Sequence, residues 1–325
     1  MTAVGAPVAV PAAPLGAGSR RAWTAVGLVL AVAAVAIWTG YIVVRQFHAS
    51  YATLPVVQRT FRAPVHHVVL SVEVGTVVIE TGPTASAVVQ TSGTRTVRTP
   101  TDHEAVTGGT LHIRSTCGAK TADAFYCRRN YVVRVPSGDS VVGTDGTGNL
   151  QISGVAGPVQ ARAMTGGLFI SQSRGTVQAT ADTGPIAVDG ARGPLSLRAV
   201  NGSITVRGAT TRVEMSSGTG NLTAVDLSAA TVSAAAVNGS VSLAFQTAPE
   251  HVTASTQTGG VTVLVPPVAP SYRLELSSTT GSVTTGLTND PTGTRTIRAT
   301  SAAGSVDVSD AGPVPPVHPS PPSAG

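Results

Sequence analysis

Glycine recurs at a fixed spacing through the middle of this 325-residue chain, and that repeat constrains the fold more than any other feature. Seven glycines follow one another at intervals of nine residues, at positions Gly148, Gly157, Gly166, Gly175, Gly184, Gly193 and Gly202. Units that begin Thr-Gly or Asn-Gly alternate with units that begin Ala-Gly or Arg-Gly. The true period is therefore 18 residues, long enough for two short strands, and a fixed period of this kind is typical of stacked repeat architectures.

The stronger unit extends beyond the regular region as a ladder of turn residues. Its members are Thr147, Thr165, Thr183, Asn201, Thr219, Asn238, Thr258 and Thr280, each followed by glycine, with Ala303-Gly304 as a last weaker copy. Glycine after Thr or Asn can adopt positive φ, so each pair predicts a tight turn before a strand. We interpret the ladder as turn chemistry with stacked hydrogen bonds. A binding face along it is the functional alternative.

Apolar and polar side chains alternate after each turn, as expected of strands with one buried face. The first predicted inward row is Leu150, Leu168, Ile186, Ile204, Leu222, Val241, Val261, Val283 and Val306. The second is Ile152, Ile170, Val188, Val206, Ala224, Leu243, Val263, Thr285 and Val308, and the opposing wall begins Val159, Val177, Leu195 and Val213. One coil cannot bury such a face alone, but stacked coils can. The sequence therefore predicts an all-β, right-handed β-solenoid with two main strands per coil of about 18 residues; a β-sandwich ranks second.

The repeats divide the rest of the chain into further regions. We expect the solenoid over 140–311 and an N-terminal β region over 63–139, in which decayed repeats form strands and a cap. Residues 45–62 are predicted as a linker, and the proline-rich segment 312–325 as a disordered tail.

An apolar segment without charged residues, 22–44, precedes the linker. As a helix it would be roughly 34 Å long, enough for a bilayer core, and it exceeds the apolar region of an ordinary signal peptide, which is the rival interpretation. Arg20 and Arg21 against Arg45 favour a cytoplasmic N-terminus, so that 1–21 would be a disordered cytoplasmic tail and most of the chain would lie outside a cell membrane.

The net positive charge of the chain arises from the residues that flank this segment. Residues 1–62 carry five arginines and no acidic residue, which equals the whole formal net charge of +5. A nucleic-acid-binding protein would instead show a basic stripe on a folded face. The sequence therefore argues against a nucleic-acid partner.

Two cysteines, Cys117 and Cys127, are separated by ten positions. A single pair closing a short loop is typical of an oxidising compartment, so a disulfide is predicted; free thiols are the alternative. A metal pair is disfavoured because no further ligands with zinc-type spacing accompany them.

The chain offers little for catalysis. Five aspartates of the repeats occupy different positions within their coils, so they do not form a cluster on adjacent coils: Asp145, Asp182, Asp189, Asp226 and Asp307. His66 and His67 are neighbours on a predicted strand and read as solvated surface side chains. We expect no catalytic site, no metal and no cofactor, and hence no enzyme.

Turns of the form Thr/Asn-Gly-x-[Leu/Ile/Val]-x-[Ile/Val], repeated every 18–20 residues, resemble a bacterial β-strand-repeat family of adhesin-like domains of unknown function. The resemblance covers roughly 65–310 and implies the same fold, a membrane anchor and a place in the cell envelope. Members of that family usually carry an acidic residue after the turn glycine, where this chain has residues such as Asn149, Ser203 and Asn221.

These observations predict a non-enzymatic, membrane-anchored cell-envelope protein whose β-solenoid serves adhesion, scaffolding or envelope-stress sensing. Its partners would be the membrane and an envelope polysaccharide or envelope protein. One alternative is a polymer-forming β-helix scaffold. The other is a carbohydrate-binding or carbohydrate-processing β-helix of the envelope.

Overall fold

The structure is a computed structural model that describes residues 33–42, 52–82, 86–95, 100–117, 127–268 and 271–311. One helix, α1, covers 33–42 within the predicted membrane segment 22–44, the remainder of which lies outside the described residues. Among described residues, no helix has the length and apolar character needed to span a bilayer. The predicted tails, 1–21 and 312–325, also lie outside the described residues. The helix belongs to one compact unit, and the chain from Thr53 onward belongs to another.

The second unit consists of two long β-sheets. In spatial order, the first sheet contains β1 (Ala52–Phe61), β4 (Ala87–Arg95), β7 (Arg128–Val135), β3 (Val77–Thr81), β9 (Leu150–Ser153), β11 (Leu168–Ser171), β13 (Ile186–Asp189), β15 (Ile204–Arg207), β17 (Leu222–Leu227), β19 (Val241–Phe245), β21 (Val261–Val265), β25 (Val306–Asp310) and β23 (Val283–Thr285). The second contains β22 (Arg273–Thr280), β24 (Thr296–Ala303), β20 (His251–Thr258), β18 (Thr231–Asn238), β16 (Val213–Thr219), β14 (Leu195–Asn201), β12 (Val177–Thr183), β10 (Val159–Thr165), β8 (Ser140–Thr147), β2 (His67–Val74), β6 (Thr110–Thr116) and β5 (Thr101–Thr107). We call them the 13-stranded sheet and the 12-stranded sheet.

Successive strands from β8 to β21 alternate between the two sheets, and each pairs in parallel with the next strand of its own sheet. The 18-residue period of the sequence sets this register, which places Leu150, Leu168 and Ile186 opposite one another on neighbouring strands. The predicted stacking of these three residues is confirmed. The described residues are thus all-β apart from one short helix, with a solenoid-like arrangement of parallel strands.

The inward rows form one continuous aliphatic core between the sheets. Predicted members such as Leu168, Ile186, Val177 and Leu195 are buried. Few of the core side chains are larger than leucine, because each coil contributes only short strands to a narrow interior. The low aromatic content of the chain, 4%, follows from this narrow core.

The C-terminal end of the stack departs from chain order. We predicted that Val283 would lie between Val261 and Val306, but Val306 pairs with both, so that prediction is wrong. Strands β24 and β25 are inserted between the β20–β21 coil and the β22–β23 coil. This order is consistent with the polarity of Thr285, the polar member of its row, which is exposed at the end of the stack, where its hydroxyl is not buried.

The N-terminal end shows a similar reversal. Strand β2 pairs with β8 on one side and β6 on the other, so the β6–β7 coil lies outside the β2–β3 coil. The expected boundary at 139/140 is therefore not a structural division. Antiparallel strands then complete this end, β4 beside β7 and β5 beside β6. The predicted linker 45–62 is also corrected, because Ala52–Phe61 forms β1.

The turn glycines are required by close packing as much as by backbone conformation. Gly166 has φ of 139°, and the carbonyl oxygen of Gly148 occupies the space that a Cβ atom on Gly166 would need. The same relationship holds along the weaker units, where Gly175 lies against the carbonyl of Gly157. Each glycine thus allows one coil to lie directly against the next.

Candidate functional site

A groove with a volume of about 440 Å³ lies on the outward face of the 13-stranded sheet. Five neighbouring strands form it, and each strand contributes two outward side chains. The side chains line up across the strands in two rows. The first row, in register, is Val78, Gln151, Phe169, Ala187 and Thr205. The second row is Glu80, Ser153, Ser171, Asp189 and Arg207. We call this surface the Phe169 groove.

Phe169 stands out at the centre of the groove. It is 37% exposed, whereas the other aromatic side chains described within 52–311 are buried or partly buried. The equivalent outward positions on the flanking strands hold Gln151 and Ala187. Neither the core nor the strand pairing requires an aromatic residue here, so Phe169 is available for contact with a ligand.

Gly167 accommodates the ring of Phe169. A Cβ atom on Gly167 would lie 2.5 Å from Cε2 and 2.7 Å from Cζ of that ring. The ring therefore lies back along its own strand, over the backbone of Gly167. The amide of Gly167 donates a hydrogen bond to Asn149 Oδ1 at 2.9 Å, which fixes this turn to the coil beneath it.

The charges of the groove are balanced. Glu80 Oε2 lies 3.4 Å from Arg134 Nε on the adjoining strand β7. Asp189 pairs in register with Arg207. Counting Arg134, which lies beside the groove lining, two acidic and two basic side chains balance, so the groove presents no net field that would select a strongly charged ligand.

The predicted turn ladder is stacked but does not line the groove. Its residues pair in register from Thr147 to Thr258, but Ala303 separates Thr258 from Thr280. The stacked hydrogen bonds run through the backbone: Gly166 N donates to Thr183 O at 2.8 Å, for example. Because the groove lining includes none of the ladder residues, a binding role for the ladder stays a prediction.

A second polar ladder lies one position after the turn glycines, where the sequence shows short polar residues but does not predict their hydrogen bonds. Asn221 Oδ1 accepts a hydrogen bond from Ser240 N at 2.9 Å, and Ser203 Oγ accepts one from Asn221 N at 3.2 Å. The register of 18 or 19 residues brings each acceptor to the amide of the next coil. These contacts explain why short polar side chains are tolerated after the turn glycine.

A partly buried polar network closes the N-terminal end of the stack. Asp102 accepts hydrogen bonds from Ser115 Oγ at 2.8 Å and from the Tyr131 hydroxyl at 3.0 Å, and Arg129 Nε lies 2.7 Å from its other oxygen. Burial raises the pKa of Tyr131, so this phenol remains a hydrogen-bond donor. Burial also raises the pKa of Glu104, whose carboxylate lies 3.4 Å from Arg59. This network was not predicted from the sequence, because its members lie in decayed repeats whose register the sequence does not reveal.

Asp145 is an ionisable group inside the aliphatic core. Its strand β8 alternates inward and outward, and Asp145 takes an inward position with 0% exposure. Burial raises the pKa of its carboxyl to about 7, although Arg128 acts in the opposite direction. The sequence analysis grouped Asp145 with the other aspartates of the repeats. The structure shows that Asp145 is buried, whereas Asp189 is exposed.

Histidines and cysteines complete the candidate set. His66 and His67 are both exposed, and His67 Nδ1 lies 2.6 Å from Ser140 Oγ. The predicted disulfide joins Cys117, after β6, to Cys127, before β7, and both pack with Val74. Within the described residues, no group of three or more His, Cys, Asp or Glu side chains could hold a metal ion.

Comparison with solved structures gives three similar proteins. A candidate cell adhesion protein from Clostridium sporogenes is 8% identical with a TM-score of 0.25, covering 79% of this chain and 100% of that one. A candidate adhesin from Bacteroides fragilis is 13% identical with a TM-score of 0.37, covering 79% and 97%. A candidate lipid-binding protein from Parabacteroides distasonis is 11% identical with a TM-score of 0.30, covering 78% and 96%.

No curated protein matches this sequence. A family model, described as Toastrack DUF4097, matches residues 65–310, which span the strands from β2 to β25. This match covers the repeats together with the N-terminal β region. The chain therefore belongs to the Toastrack DUF4097 family.

Proposed function

We propose that this chain is a non-enzymatic cell-envelope protein that presents a right-handed β-solenoid, with two strands per turn, outside the membrane for adhesion. The main support for this proposal is the outward face of the 13-stranded sheet. There, parallel strands in register hold two aligned rows of side chains around the Phe169 groove. Such a face provides a broad contact surface on a rigid support.

Three features support the envelope location. The apolar segment 22–44 has the length of a single-pass anchor. The Cys117–Cys127 disulfide is typical of an oxidising compartment. The arginines that precede the segment favour a cytoplasmic N-terminus, which would place the strands on the other side of the membrane.

Protease treatment of intact bacterial cells tests the location. In cells that express the full chain with an epitope before residue 20, added protease should remove the strands and leave the epitope protected until lysis. Survival of the strands in intact cells, or secretion of a shortened soluble chain, would contradict the anchored topology.

Attachment tests the role. Cells that express the full chain should bind immobilised envelope material more strongly than cells that express a chain lacking 53–311. Equal attachment of both strains, with the full chain detectable at the surface, would reject adhesion in favour of scaffolding or stress sensing.

A polymer-forming scaffold is the second candidate, and the C-terminal end of the stack favours it. Strands β22 and β23 each have one partner strand, and Val283 on β23 is 45% exposed. An open edge of this kind can pair with another chain. Sedimentation of the full chain at rising concentration would reveal filaments, whereas a constant sedimentation coefficient would reject this candidate.

A further inference from the structure

We propose that the Phe169 groove binds an uncharged, hexose-containing polysaccharide, with Phe169 as the surface on which a sugar ring stacks. This inference rests on the proposed function, since the polysaccharide would be the ligand through which the solenoid adheres. It assigns the ligand class and the contact residues.

Phe169 is placed where its ring can stack on a sugar. A pyranose ring has one face lined mainly by C–H groups, and such a face packs well on the electron-rich face of an aromatic ring. Phe169 is 37% exposed and is the one aromatic side chain in the groove lining. Gly167 leaves space for the ring to lie over its own strand, within reach of a ligand on the sheet.

The surrounding polar groups match sugar hydroxyls. Gln151 lies beside Phe169 on the preceding strand, and Asp189 and Thr205 lie on the following strands. Together they supply an amide, a carboxylate and a hydroxyl, and Ser171 adds a second hydroxyl. A sugar hydroxyl both donates and accepts hydrogen bonds, so a mixed set of this kind suits it better than a set of one sign.

The charge balance of the groove favours an uncharged ligand. Arg134 lies close to Glu80, and Asp189 and Arg207 are neighbours in register. A polyanion would meet Glu80 and Asp189, and a polycation would meet Arg207 and, at the edge of the groove, Arg134. A neutral polymer avoids both costs.

The shape of the groove favours a chain over a compact small molecule. The groove crosses five parallel strands, from β3 to β15, at about 4.8 Å per strand. A ligand lying across the strands would meet a new pair of outward side chains at each step. It would keep one side in solvent, unlike a ligand in an enclosed pocket.

Binding of neutral hexasaccharides to the full chain, purified in detergent, tests the proposal. The probes are cellohexaose, chitohexaose, mannohexaose and maltohexaose, measured by calorimetry, with a sulfated heparin hexasaccharide as the anionic comparison. We expect at least one neutral probe to bind more tightly than the heparin probe. Phe169→Ala should weaken that binding about tenfold, while Phe169→Tyr should retain it within about threefold.

Two further variants control the experiment. Ser242→Ala changes an outward side chain in the same row outside the groove and should leave the affinity unchanged. Gly167→Ala keeps the phenyl ring but removes the space it occupies, and should also weaken binding. Because Phe169 is exposed, thermal unfolding should confirm that Phe169→Ala remains folded.

Three outcomes would overturn the assignment. These are no binding of any neutral probe, equal binding by Phe169→Ala, and Phe169-dependent binding to phosphatidylcholine vesicles in place of sugars. Cell attachment that persists while every hexasaccharide fails would reject the sugar ligand and leave the adhesive role standing. If the full chain binds a hexasaccharide but cells that express it do not attach, the adhesive role is rejected and the sugar ligand stands.

Discussion

The carbonyl oxygen of Gly148 occupies the space that a Cβ atom on Gly166 would need. Neither backbone can move away, because both belong to coils that are hydrogen-bonded through the stack: Gly148 N donates to Thr165 O at 2.9 Å. Gly166→Ala should therefore force neighbouring coils apart and lower the free energy of unfolding by roughly 2–4 kcal/mol. Urea denaturation of the full chain measures this.

Gly190→Ala is the matched control. Gly190 also has positive φ, 63°, but the nearest atom to its hypothetical Cβ lies 4.0 Å away. This variant has backbone strain without the collision and should cost about 1 kcal/mol. Equal losses for the two variants would show that close packing between coils is not what requires glycine at 166.

The buried carboxyl of Asp145 should make stability depend on pH. Its pKa is about 7 in the folded chain, against an ordinary value of 3.8, so folding favours the neutral acid. Stability should be greatest below pH about 4 and should decline as the pH rises to about 7, by up to roughly 4 kcal/mol. Denaturant unfolding at a series of pH values measures this decline.

Asp145→Asn provides the decisive comparison, because its side chain stays neutral. This variant should be more stable than the parent at pH 8 and should show a flatter profile between pH 4 and 7. Asp307→Asn, on the outward face of β25, controls for the loss of one carboxylate. An unchanged profile in Asp145→Asn would assign the pH dependence to other groups.

Reduction of the Cys117–Cys127 disulfide should loosen one end of the stack. The bond closes a loop of ten residue steps, so chain entropy predicts a loss of about 3 kcal/mol. Because repeat proteins are held together by contacts between neighbouring coils, the effect should be local. Hydrogen exchange should rise in β6 and β7 and stay unchanged in β12 to β17; uniform acceleration would contradict this expectation.

The Arg129–Asp102 pair should matter more than exposed ion pairs. The two side chains are only 12% and 20% exposed, and Asp102 also accepts bonds from Ser115 and Tyr131. Arg129→Met would leave that carboxylate without its cation and should cost roughly 3 kcal/mol. Arg162→Met removes the exposed partner of Asp182 and should cost under about 1 kcal/mol. Similar losses in the two unfolding curves would reject the structural role of the network.

The central part of the fold could be predicted from the sequence because its contacts repeat. A residue and its copy 18 positions later occupy equivalent positions on neighbouring strands. The spacing of Leu150, Leu168 and Ile186 therefore predicts that they lie next to one another. The ends could not be predicted in this way. Val283 and Val306 both follow a Gly-Ser turn, and that local pattern does not reveal which of them lies next to Val261.

The candidate site was less predictable than the fold. Phe169 could be assigned to the outward face by alternation, but the groove also needs Val78 and Glu80 from β3. The register between β3 and β9 joins residues more than seventy positions apart, outside any repeat. The inward position of Asp145 follows from alternation along β8, yet its glycine-rich sequence obscures that pattern.

The insertion of β24 and β25 has a consequence for how the molecule is completed during synthesis. Strands β22 and β23 leave the ribosome first, when the edges of β20 and β21 are still open, yet in the finished stack those edges belong to β24 and β25. The chain cannot simply wind up in the order in which it is made. Strands β24 and β25 are made after β22 and β23 but pair directly with β20 and β21, so the β22–β23 coil can take its place at the end of the stack only after they have been made.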